Sequence, residues 1–236
     1  MRLNVLITST KLAIACTIVL AACLQAQDRG STPLGEVRMQ VGDVLSRAHL
    51  SGSLEYWSAC NFKATFPDFP NLREVPNHNG SPVELLRDMF SVDPEMRVSQ
   101  DADGRIRMIE EDVPNDLLDV RIHHLRFPPE YHGPNMAVNA ILKTPEVIAF
   151  RREHNIGPEA DWGPGISYPS DAFAVDKPSV HGEFYEITVR KALDYVLRTF
   201  PGFWVYENCQ DPGVGRRVVM GFIENMPDSI PVRTQK

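Results

Sequence analysis

The sequence predicts an α+β protein made of two small β-α-β-β units, the second carrying a partly helical insertion. Three observations predict it. Apolar residues recur at helical spacing twice, within Pro82–Phe90 and within Val189–Leu197, each time behind a hydroxyl residue able to cap a helix. Each helical stretch is followed by a proline and then by residues of strand character. The two copies lie 107 residues apart without a gap, Ser81 matching Thr188.

Taken in order, the chain opens with an export signal over 1–26. Arg2 and Lys11 form a positive start, and Leu12 to Leu20 is an apolar run too short to span a bilayer as a mature helix. Leu20-Ala21-Ala22-Cys23 follows and resembles the lipobox of bacterial lipoprotein precursors. That resemblance implies cleavage before Cys23 and a lipid on its sulfur. The other route is cleavage after Ala26, although Leu24 fits that pattern poorly. Residues 27–50 read as a linker and a first element, and 228–236 as a C-terminal tail.

Once the signal has left, Cys60 and Cys209 remain, with Cys23 lipidated or gone. Two cysteines in an oxidising compartment read as one disulfide, and two separate buried thiols are the alternative. No C-x-x-C is present, which argues against thiol redox chemistry. The full chain carries a net charge of −7, and loss of Arg2 and Lys11 leaves −9. Such a balance argues against nucleic acid as a partner, and against a membrane except through an N-terminal lipid. The 43% hydrophobic content excludes wholesale disorder, and the 19 prolines suggest short elements joined by stiff loops.

The first unit occupies 51–115. Leu54 to Cys60 is its opening strand. Ser81-Pro82-Val83-Glu84 is a capping box with proline in the first turn, and Leu85, Leu86, Met89 and Phe90 continue an apolar stripe. Met96 and Val98 alternate with polar residues, Asp101-Ala102-Asp103-Gly104 turns the chain, and Ile106 and Met108 return. The second unit occupies 116–227. Leu118 to Ile122 is its opening strand, and Thr188 caps a helix with Val189, Ala192, Leu193, Val196 and Leu197 on one face. Phe203 and Val205 lead into a longer turn over 210–215, and Arg217-Val218-Val219-Met220 returns. The insertion, 128–180, holds a helix that starts at Thr144-Pro145 and ends by Gly157. It then runs through the Gly/Pro-rich Trp162-Gly163-Pro164-Gly165-Ile166-Ser167-Tyr168-Pro169. Internal duplication and chance recurrence of a common helix–hairpin unit both account for the match.

Ser81-Pro82-Val83-Glu84-Leu85-Leu86 with Met96–Val98 and Gly104-Arg105-Ile106-Arg107-Met108 resembles the short N-terminal secretin/TonB-type module. Thr188-Val189-Arg190-Lys191-Ala192-Leu193-Asp194 with Val205 and Val218-Val219-Met220 is similar to it as well. The resemblance covers roughly 35 residues per copy and rests on pattern. It implies a small α/β fold used for protein–protein docking in the cell envelope. The insertion departs from it, and no pore or barrel segment accompanies it.

Signatures of catalysis are missing. His123 and His124 are neighbours on a strand and point to opposite faces unless a bulge intervenes, so they make a poor metal pair, and no metal site is expected. Asp101-Ala102-Asp103-Gly104 lacks the later ligands of a calcium loop and reads as a turn. There is no G-x-S-x-G, and Gly213-Val214-Gly215 precedes no helix; no cofactor is called for. Tyr131, Trp162, Tyr168 and Phe173 are loop aromatics, read either as binding residues or as covers over a core edge. The expectation is an exported, non-catalytic docking protein, lipid-anchored or periplasmic, whose partner is an envelope protein or polymer. Strand addition at a free sheet edge is the expected mode. The competing expectation is a secreted hydrolase with its site in the insertion, using His132, His154 or Asp161.

Overall fold

A computed structural model describes residues 34–58, 69–75, 80–157, 178–211, 213 and 215–225. Helices and strands are mixed as the α+β class requires. The elements are α1 (Leu34–Arg47), β1 (Gly52–Ser58), α2 (Pro82–Met89), β2 (Met96–Gln100), β3 (Ile106–Glu110), β4 (Arg121–Phe127), α3 (Pro134–Leu142), α4 (Pro145–Glu153), β5 (Gly182–Thr188), α5 (Val189–Val196), β6 (Gly202–Asp211) and β7 (Gly215–Glu224).

Local chemistry sets the helices that the sequence announces. Ser81 Oγ accepts from the Glu84 N–H, and Glu84 reaches back to the Ser81 N–H, so the capping box of α2 is complete. These bonds, the backbone one first, hold the Glu84 carboxyl below its usual range. Thr188 Oγ1 likewise accepts from the Lys191 N–H at the start of α5. In the β2–β3 turn, Asp101 Oδ1 accepts from the N–H groups of Asp103 and Arg105, and Gly104 takes φ +81°. The expected cap at Thr144 does not form. Its hydroxyl donates backwards to the Ile141 carbonyl, because Thr144 is buried against the end of α3.

Five strands form one sheet in the order β2-β3-β1-β6-β7. β1 is its centre, parallel to β3 on one side and to β6 on the other. β2 and β7 are antiparallel to their neighbours and form the edges. One face of the sheet carries Leu54, Tyr56, Ile106, Met108, Phe203 and Val205. It is covered by Val37, Val41 and Leu45 of α1 and by Leu85, Leu86 and Met89 of α2. The opposite face, at β6 and β7, carries Trp204, Tyr206, Met220 and Phe222. It packs on Ala192, Leu193 and Val196 of α5 and on Val138 and Ile141 of α3.

This arrangement corrects the placement of the second unit. The two hairpins share one sheet, divided by β1. The match aligns β2 with β6, yet β2 is an edge and β6 is interior, so the copies occupy inequivalent places. The strand expected at Leu118–Ile122 begins later, as β4. Leu117 and Leu118 are both fully buried, which alternation forbids, and they lie in a 3-10 turn over Asp116–Asp119. β4 lies outside the main sheet. It pairs antiparallel with β5, a strand the sequence reading lacked, in a separate two-stranded ribbon. β6 is flanked by β1 over seven residue pairs. The 210–215 turn is also shorter than expected, since β6 runs to Asp211 and β7 starts at Gly215.

Ions lie inside the fold. Glu55 of β1 is fully buried and receives both terminal nitrogens of Arg190 from α5. Arg107 of β3 bridges Asp194 (2.7 Å) and Asp101 (2.7 Å), and Asp194 also accepts from Trp204 Nε1 at 3.0 Å. Both guanidiniums lie 5.8 Å from the Trp204 ring centroid. Burial by itself would lower the Arg107 pKa, but Asp194 and Asp101 outweigh it and raise it. The network joins the first hairpin to α5 across β1.

Candidate functional site

The β4–β5 ribbon stands outside the main sheet, and its backbone departs from a regular strand pair. The register runs from Arg121 opposite Thr188 to Phe127 opposite Gly182, with His123 and Glu186 the one position where the pairing is interrupted. Glu186 has φ +54°, the left-handed region that a non-glycine residue enters at a cost. The interruption shifts the buried positions by one step. Ile122 is buried on one side of it, and Leu125 and Phe127 on the other. Consecutive residues therefore reach solvent on both strands: His123 and His124, Tyr185 and Glu186. The sequence puts the two histidines on opposite faces unless the alternation is interrupted, and it is interrupted at His123 and Glu186.

The exposed residues pair across the ribbon. His123 Nδ1 lies 2.7 Å from Glu186 Oε1, and His124 Nε2 lies 2.7 Å from Glu183 Oε1. The Tyr185 ring is 68% exposed and stacks on His124 with centroids 5.0 Å apart. Glu186, mainly through its hydrogen bond, raises the His123 pKa, and Glu146 adds to this while Arg121 opposes it. The Glu183 carboxyl is held low, first by the His124 contact and then by Tyr185, and in turn it raises the Tyr185 phenol.

The two outer edges of the ribbon differ. α4 packs along β4, and the His123 N–H donates to Glu146 Oε1 of that helix at 3.2 Å. β5 has β4 on one side and, among the described residues, no strand on the other. Alternate backbone N–H and C=O groups of an edge strand point outward and are available to an incoming chain. The remaining sheet edges are less open. Val98 of β2 gives its carbonyl to Arg87, the Phe222 N–H of β7 donates to Asn135 Oδ1, and the Arg216 carbonyl accepts from the Gly157 N–H. An open groove of about 360 Å³ adjoins the ribbon at α4, lined by Asp116, Asp119, Arg121, Glu146, Phe150 and Glu153. Asp116 is already engaged, since Arg216 binds it through two nitrogens and holds its carboxyl low.

The residues singled out from the sequence fall elsewhere. Tyr131 is half-buried, its ring 6.4 Å from that of Phe127, and its carbonyl accepts from the Val180 N–H. That is the core-covering role. Trp162, Tyr168 and Phe173, with Asp161, Cys23 and Cys60, lie outside the described residues. Cys209 is buried and disulfide-bonded. His132 and His154 are both exposed. His154 stacks on Phe150 with centroids 3.9 Å apart, and among the described residues no hydrogen bond joins it to His132. No three His, Cys, Asp or Glu among the described residues converge as metal ligands would. No helix among them is long and apolar enough to cross a membrane. The ribbon is hidden in the sequence although Phe184, Tyr185, Ile187 and Thr188 are strand formers. The kink at Glu186 spoils the alternation that would have marked them. Comparison with protein-family models, with curated proteins and with solved structures returns no match.

Proposed function

We propose that this protein is a non-catalytic docking module of the cell envelope, exported by its N-terminal signal and held there as a lipoprotein or a periplasmic protein. The β4–β5 ribbon is its docking surface, and an extended segment of a partner protein adds as a strand along β5. The observation that carries this reading is the contrast between the two ribbon edges: β4 lies against α4, and β5 has no neighbouring strand among the described residues. Tyr185 supports it as an exposed, stacked aromatic at the centre of that edge, the residue type that dominates binding surfaces. The likeness of the helix–hairpin segments to an envelope docking module points the same way.

Site-specific photo-cross-linking in the host tests the proposal. A cross-linker replacing Tyr185 should trap one discrete partner, and peptide mapping should place the adduct in an extended segment. The same group at Met39, also exposed but on α1, should trap nothing at that yield. Equal labelling from both positions, or none from Tyr185, would remove the ribbon as the docking surface.

A further inference from the structure

We infer that the segment added to β5 is basic, and that its lysine or arginine side chains take Glu183 and Glu186 over from His124 and His123. The inference rests on the ribbon being the docking surface and names the chemistry of what docks there. β5 places two carboxylates within seven residues, both about half exposed, at 52% for Glu183 and 53% for Glu186. Glu186 is held by the His123 imidazole at 2.7 Å with Arg121 at 3.9 Å, and Glu183 by the His124 imidazole at 2.7 Å and by Tyr185. An incoming ammonium or guanidinium carries a full charge at neutral pH and makes the stronger partner. A second copy of this chain would bring Glu183 and Glu186 against their own kind across the new strand pair, which is destabilising. The net charge of −7 repels a copy and draws a basic segment.

His123 makes the preference depend on pH. His123 faces Glu186 of β5 and Glu146 of α4, with Arg121 beside it on its own strand. His124 shares Glu183 with Tyr185, and Arg126 acts on the same carboxylate. A neutral His123 leaves Glu186 available to a stronger cation. As pH falls through the His123 pKa, raised by Glu186, the imidazolium binds its carboxylate more firmly and repels an incoming cation. Binding of a basic segment therefore weakens on acidification.

The experiment is amide hydrogen exchange of the full chain with three hexapeptides of alternating valine and lysine, valine and glutamate, or valine and glutamine. At pH 7.5 the lysine peptide should slow exchange across Gly182–Thr188, and the glutamate peptide should not. Glu183→Gln with Glu186→Gln should weaken lysine-peptide binding by roughly fivefold or more. Lowering the pH to 5.5 should weaken it as well, and His123→Gln should flatten that dependence. These side chains are exposed, so the variants should keep the wild-type unfolding midpoint. If all three peptides protect β5 alike, the basic preference is wrong while the docking edge stands. If no peptide protects β5, or if the outward amides of β5 are already protected in the free protein, the docking edge falls with it.

Discussion

Glu55 keeps its carboxylate inside the protein because Arg190 reaches it from 135 residues away. A buried ion pair adds little net stability against an apolar pair, yet removing one partner leaves the other charge stranded. Arg190→Met should therefore cost about 3–5 kcal/mol of unfolding free energy. Adding Glu55→Gln should recover part of that loss, because the stranded charge is gone. Urea titration of the two variants checks both signs, and an additive pair would show that the contact is unimportant. Nothing in the sequence marks this pair. Arg190 lies in the first turn of a helix whose apolar stripe is easily read, and Glu55 alternates with Leu54 and Tyr56 as a surface residue would. The same holds for Asp194, the one acid on the buried side of α5, whose oxygens are taken by Arg107 and Trp204.

At the scale of elements, caps and turns were legible because their causes are local. Ser81 and Glu84 are three residues apart, and their bonds form whatever the rest of the fold does. Close approach between strands is a different kind of constraint. Gly52 faces β3, and a Cβ there would sit 2.3 Å from the Ile106 carbonyl oxygen. Ser81→Ala should cost about 1 kcal/mol by loss of a cap. Gly52→Ala should cost about 3 kcal/mol or more, because backbone must move. Thermal unfolding of the two variants should rank them in that order, and the reverse order would mean that β1 and β3 are less tightly joined than described. The glycine is plain in the sequence, and its necessity is not, since Ile106 lies 54 residues away. β5 is hidden in the sequence for a similar reason. The pattern that reveals a strand is broken at Glu186, and the break is set by which side of the ribbon meets the core.

For the molecule as a whole, β1 holds both hairpins, so neither unit is complete without the other. The proposed Cys60–Cys209 bridge would reinforce that dependence by closing a loop of about 149 residues. The chain-entropy treatment values such a closure at about 4–5 kcal/mol. Cys60→Ser should lower stability by an amount of that order and release one reactive thiol from Cys209 under denaturing, non-reducing conditions. No new thiol in the variant would show that Cys209 is bridged to another cysteine. By itself, the sequence determined the α+β class, the caps of α2 and α5 and the turn between β2 and β3. All of these follow from residues within a few positions of one another. Only the tertiary structure decided that the hairpins share one sheet, that β4 pairs with β5, and that the exposed edge lies on β5. Strand order depends on which backbone groups are already satisfied and which faces must be buried, and both are properties of the assembled chain.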